Sequence, residues 1–106
     1  DQDPILALSN ATIAYLLFDL GHVDSAISIQ KKSIEIYSQT MGVAHPVLGI
    51  LYINLSMWHK VKHECDSAIY YAKKAYTIHC HPLNAAYQKS SIYYETLAES
   101  YSCMRN

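Results

Sequence analysis

Glycine and proline are scarce in this chain, three of each among 106 residues. No Ser/Pro-rich or low-complexity tract marks a linker, so no domain boundary is expected. Charge is thin as well: charged side chains make up 16%, and 8 basic against 9 acidic residues leave a formal net charge of -1. Nucleic acid or an anionic membrane surface would need a basic footprint that this balance does not supply. No apolar run approaches the roughly 18 residues of a membrane span, and Asp1-Gln2-Asp3-Pro4 lacks the basic start of a secretory signal. The three cysteines, Cys65, Cys80 and Cys103, are odd in number and lack metal-ligand spacing, so no disulfide framework is implied and reduced thiols are expected. A phosphate-cradling glycine loop, a Ser/His/Asp arrangement and paired catalytic carboxylates are all missing. The expectation is a cytoplasmic or nuclear chain that is not an enzyme by itself and takes no cofactor.

What is present is apolar and repeated. Hydrophobic residues make up 51% of the chain, enough for one small core. A shift of 42 residues places Pro4 on Pro46, Ala26 on Ala68, Lys31-Lys32 on Lys73-Lys74, Ser33 on Ala75 and Ile36 on Ile78. A second shift carries Thr12 to Asn54 to Thr96, Ile13 to Leu55 to Leu97 and Ala14 to Ser56 to Ala98. Such a period is the signature of a helical-repeat array. Within each unit the apolar residues recur at three or four positions, as helices require. Pro4 and Pro46 suit first-turn positions, and Gly21 and Gly42 suit helix exits. The spacing predicts five helices, over about 4–20, 24–41, 46–60, 66–78 and 83–104. The expected organisation is one domain over 1–106, with repeat 1 over about 4–45, repeat 2 over about 46–81 and a terminal helix over about 82–104. His81-Pro82 arrives six residues early relative to His45-Pro46; it either starts the fifth helix early or sits in an extended linker. Ala26 and Ala68 are expected to be buried where helices cross. The sequons Asn10-Ala11-Thr12 and Asn54-Leu55-Ser56 fall within packed helix and read as chance matches.

The small and large residues about Gly21 and Ala26, and the helix pair about each turn, resemble the tetratricopeptide repeat superfamily. The implied fold is all-α: antiparallel helical hairpins, about two and a half repeats in a right-handed superhelix. The longer unit with Gly42-Val43-Ala44-His45-Pro46 is similar to the repeats of kinesin light chains. Glu35-Ile36-Tyr37-Ser38, His45-Pro46-Val47-Leu48-Gly49-Ile50, Trp58-His59 and Lys74-Ala75-Tyr76-Thr77-Ile78 resemble more closely the C-terminal repeat domain of the SET-and-MYND lysine methyltransferases. That family's glycine turn before its last helix is replaced here by His79-Cys80-His81-Pro82, and no SET or MYND segment is present.

First helices line the concave face in such arrays, which makes Leu8, Thr12, Tyr15 and Phe18 in the first unit, with Ala11, and Ile50, Ile53, Asn54, Met57 and Lys60 in the second, the candidate peptide-binding groove. Ile92, Glu95, Thr96 and Glu99 are its third-unit counterparts. An apolar groove with few charges suits an amphipathic helix or apolar peptide better than an acidic tail. Either a partner protein occupies it, or further domains of a longer parent or a second copy already cover it. The expected partner is thus protein, with no nucleic acid and no membrane. Two functions compete: a non-catalytic peptide-binding scaffold, and a repeat domain that shapes access to the substrate cleft of a methyltransferase whose catalytic part lies elsewhere. His59, His63 and His79-Cys80-His81 raise the possibility of a metal, but a helix of about 13 residues separates the clusters by roughly 20 Å. They are expected to be solvated loop histidines, and no metal is expected. The lysine pairs are expected to form a solvated outer face.

Overall fold

The computed structural model describes residues 4–80 and 92–103. Five helices follow one another: α1 (Pro4–Asp19), α2 (Val23–Met41), α3 (Pro46–Val61), α4 (Cys65–His79) and α5 (Ile92–Cys103). The first four match their sequence limits to within one residue at each end. The role of Pro82 and the expected start of the fifth helix lie outside the described residues.

Cα packing divides the chain into two units, residues 1–43 and 44–106. The first is a hairpin of α1 and α2, joined by residues 20–22. Gly21 sits at φ +91, the Gly21 N–H bonds the Phe18 carbonyl at 2.9 Å, and the His22 N–H bonds the Leu17 carbonyl at 2.9 Å. This pair of bonds is a Schellman turn, which closes orphan carbonyls at the helix end and needs a left-handed residue at the Gly21 position. Ala7, Ala14 and Ala26 are completely buried, and these small side chains let the two helices approach closely. Ile27, Ile34 and Tyr37 fill the remaining space on α2.

The second unit repeats the plan with one exchange. At α3's exit the His63 N–H bonds the Lys60 carbonyl and the Glu64 N–H bonds the His59 carbonyl, both at 2.9 Å. His63, at φ +62, therefore occupies the left-handed position that Gly21 holds one repeat earlier. The entrance of α3 is fixed by His45, whose Nδ1 accepts a hydrogen bond from the Val47 N–H at 3.2 Å, and by Pro46 at the first helical position. Ala68 is fully buried, as is Trp58. Asp24 and Asp66 lie in the first turns of α2 and α4, where a negative charge complements the exposed N–H groups.

α5 packs on α4 and α3 but departs from the repeat register. The sequence alignment sets Ala98 beside the buried Ala14 and Ser56, whereas Ala98 is exposed and Tyr93, Thr96 and Ser100 face inward. A polar inner face is satisfied locally: Ser56 Oγ donates to the Ala68 carbonyl at 2.7 Å, Ser100 Oγ to the Thr96 carbonyl at 2.8 Å, and the two hydroxyls lie 2.9 Å apart. Two hydroxyl protons thus serve three contacts. Tyr93 packs with Ile53 and Ala75 and stacks on the buried His79 ring at 4.3 Å.

The expectation of reduced cysteines is corrected. Cys65 at the start of α4 and Cys103 at the end of α5 are joined in a disulfide, with a Cα–Cα distance of 5.6 Å. An odd cysteine count hid this pair, because only the antiparallel return of α5 along α4 brings positions 38 residues apart together. Cys80 stands outside this disulfide and is exposed.

Candidate functional site

On α1, Leu8, Thr12 and Tyr15 fall at i, i+4 and i+7 and so share one face. Leu8 is 41% and Tyr15 50% exposed, and Thr12 is exposed with its hydroxyl turned back to the Leu8 carbonyl at 3.1 Å. Ala11 and Phe18 are half-buried at its margin. On α3 the repeat-equivalent positions are Ile50, Asn54 and Met57. Ile50 is 55% and Met57 42% exposed, Asn54 is half-buried, and exposed Val61 continues the stripe by one turn. Among the described residues, nothing hydrogen-bonds the Asn54 side-chain amide. Each stripe is apolar at its ends with one polar group between.

Two of the expected groove residues belong elsewhere. Ile53 is only 3% exposed and packs with Ala75 and Tyr93, so it is core. Lys60 Nζ lies 3.4 Å from Glu99 Oε2 of α5. With Gly49, whose missing Cβ would sit 2.7 Å from Tyr93 Oη, and Ser56, they form the α3 stripe that α5 covers. In the third unit Thr96 is buried, Glu95 is exposed and Glu99 is the partner of Lys60; the side chain of Ile92 lies outside the described residues. The reason for the split is geometric: successive residues are about 100° apart around a helix, so Ile50, Asn54 and Met57 look one way and Gly49, Ile53, Ser56 and Lys60 another.

The histidines also move from their expected places. His59 is buried, not solvated; its Nδ1 lies 2.7 Å from Glu64 Oε1 and its ring stacks on Tyr71 at 5.3 Å. The His59 hydrogen bond, with Lys62 at 3.5 Å, holds the Glu64 carboxyl below its ordinary range. An ionised carboxylate accepts only, so Nδ1 carries the proton, which leaves His59 Nε2 buried and unpartnered among the described residues. His79 is buried beneath Tyr93, and His81 lies outside the described residues. Among the described residues no group of three or more His, Cys, Asp or Glu side chains is arranged to hold a metal ion. No described helix is long and apolar enough to cross a membrane.

One surface went unread in the sequence. Lys74 Nζ lies over the rings of Tyr70 at 5.3 Å and Tyr52 at 5.6 Å, and Lys73 Nζ over Tyr101 at 5.7 Å. Tyr71 stacks on Tyr52 at 5.9 Å, and burial raises the Tyr52 phenol above its ordinary pKa against the opposing pull of Lys74. The second lysine pair is therefore laid on aromatic rings and not simply solvated. The signal was available: Tyr70 and Lys74 are four residues apart in a chain with ten tyrosines, a spacing that brings helical side chains together. At the other end of α4, hydrogen bonding to Cys80 and then Tyr94 pushes the Tyr76 phenol up to about 12.

Helical hairpins of this length, with small residues at the crossings, define a helical-repeat protein. Residues 5–80 match the tetratricopeptide repeat family model, and the chain belongs to that family. No curated protein matches it. Tetratricopeptide repeats mediate protein–protein interactions and are typically non-catalytic.

Proposed function

We propose that this chain is a non-catalytic protein-interaction module in which the exposed stripe of α1 in one unit, and that of α3 in the other, each offers a docking face for an apolar peptide or an amphipathic partner helix. The observation that carries this is the recurrence of exposure: Leu8 and Ile50, Thr12 and Asn54, Tyr15 and Met57 are repeat-equivalent pairs in which no member is buried. Apolar flanks supply contact area, while a central polar group can hydrogen-bond a peptide backbone and set its position. Methionine and tyrosine suit such a surface, the first by adapting its shape and the second by offering rigid area with a polar tip. An acidic tail is disfavoured, because the second-unit lysine of the expected groove, Lys60, already faces Glu99.

The test is titration of labelled amphipathic-helix peptides into the intact chain. Binding that changes little as salt rises, and that Ile50→Asp abolishes without lowering the melting temperature, supports the proposal. Binding that collapses with salt and survives Ile50→Asp refutes it.

A second reading has its own support. From Pro4 to Phe18 helix α1 carries no charged residue, and Leu6, Ile13 and, just past the helix end, Leu20 are exposed outside the stripe. A helix apolar on all sides is normally an interior one, as it would be if the chain were the repeat domain of a SET-and-MYND lysine methyltransferase, packed on the rest of that enzyme. A SET core encoded upstream would favour this reading, and a coiled coil there would favour a kinesin-light-chain-like scaffold.

A further inference from the structure

We infer that the Cys65–Cys103 disulfide is a thiol-exchange site, entered through the cavity it lines, and that exchange there unlatches α5. The cavity holds about 420 Å³ and is walled by Lys60, His63, Cys65, Ser102 and Cys103. Both cysteines are partly accessible, unlike a structural disulfide sealed in a core. The wall thus combines an electrophilic S–S bond, a lysine ammonium and a hydroxyl in a space large enough for a small thiol. Glu99 is the carboxylate facing Lys60, at 3.4 Å, and both side chains are open to solvent, 39% exposed for Lys60 and 64% for Glu99. An anionic small thiol of the glutathione class can compete with the exposed Glu99 carboxylate for that ammonium, since exposed ion pairs are weak and a thiolate is favoured beside a cation.

The chemistry is closed without any other reagent. An incoming thiolate forms a bond to one cysteine Sγ while the Cys65–Cys103 bond breaks, and its electron pair leaves on the other Sγ as thiolate. A second thiolate then attacks the mixed disulfide on the small-thiol sulfur. The products are one small-molecule disulfide and two cysteines, which take up the two protons released by the attacking thiols. The small thiol is oxidised and the protein disulfide reduced by the same two electrons.

The consequence for the fold follows from how α5 is held. Besides the disulfide, its ties to α3 and α4 include the Tyr93 ring on His79, the Ser100–Ser56 hydroxyl contact and the Glu99–Lys60 pair. All three sit on the α3 and α4 faces that α5 covers. Opening the disulfide frees the helix end that carries Cys103 and leaves those contacts as its remaining anchors, with Ile53 and Ser56 beneath.

Mass spectrometry of the intact chain in a glutathione redox buffer, paired with amide hydrogen exchange, tests this without any peptide ligand. The expected result is a transient glutathione adduct on Cys65 or Cys103, and α5 amides that exchange at least roughly tenfold faster after reduction while α1 and α2 amides are unchanged. In Lys60→Gln, exchange with glutathione slows roughly tenfold, the low end of what a charge-lined cleft adds to encounter, while exchange with cationic cysteamine does not slow. Free thiols at Cys65 and Cys103 under oxidising buffer would overturn the inference. So would α5 protection that is equal in the oxidised and reduced chain, or equal losses for both thiols in Lys60→Gln.

Discussion

His63 stands where the first hairpin has Gly21, and it adopts the same left-handed backbone, φ +62 against +91. A side chain there costs about 1–2 kcal/mol, against which glycine brings roughly 0.5–1 kcal/mol of extra unfolded-state freedom. The net expectation for His63→Gly lies between no change and about 1.5 kcal/mol of added stability, a rise of up to several degrees in thermal melting; a lower melting temperature would show that the imidazole makes a contact worth more than the strain. Ala68, fully buried, lies at the opposite extreme. Ala68→Leu should cost about 1–3 kcal/mol by overpacking, read from denaturant midpoints at constant slope. Glu64 adds a pH dependence. Its carboxyl titrates below the ordinary 4.5, chiefly through the His59 hydrogen bond. A depressed folded pKa means that the stabilisation is complete above the unfolded value and is lost as pH falls through the folded one. The melting-temperature gap between wild type and Glu64→Gln should therefore be constant near neutral pH and close below pH 4.5.

At the scale of the helix, the ends of α1, the exit of α2 and the start of α3 were legible because Pro4, Gly21, Gly42 and Pro46 agree with the three-to-four spacing, and the exit of α3 and the start of α4 because the 42-residue period carries those boundaries over. Buried Ala26 and Ala68 were legible for the same reason, since a recurring small residue marks a close crossing. The inner face of α5 was not. Its buried residues are Tyr93, Thr96 and Ser100, a set that no hydrophobic pattern selects and that the Tyr93–His79 stacking and the Ser56–Ser100 contact explain. Ile53 was misplaced for a related reason: it becomes core through Tyr93 and Ala75, a contact made by a helix whose register departs from the repeat. The disulfide was hidden by the same long-range return. It closes a loop of 38 residues, which in the chain-entropy view contributes roughly 3–4 kcal/mol. Reduction should lower the unfolding free energy of the second unit by about that amount and leave the α1–α2 hairpin's own exchange protection unaltered. A loss below about 1 kcal/mol would mean that packing alone fixes α5.

For the whole molecule, membership of the tetratricopeptide repeat family rests on residues 5–80, and the proposed activity rests on what the two units share. Some positions that fill the interiors are repeat-equivalent, as Ala14 and Ser56, Ala26 and Ala68, and Tyr37 and His79 are, and so are the stripe positions in which no member is buried: Leu8 with Ile50, Thr12 with Asn54, Tyr15 with Met57. Folding explains the first set. Nothing within either unit requires apolar side chains at the second, where exposure of large apolar groups is unfavourable unless something covers them. The most direct test is a peptide titration on Tyr15→Ala, Asn54→Ala and Met57→Ala, each first shown to melt like the wild type. Predicted is a loss of about 1 kcal/mol or more in affinity for Tyr15→Ala and Met57→Ala, a smaller loss of sequence register for Asn54→Ala, and little change between low and moderate salt. Unchanged affinity in all three folded variants would contradict the account.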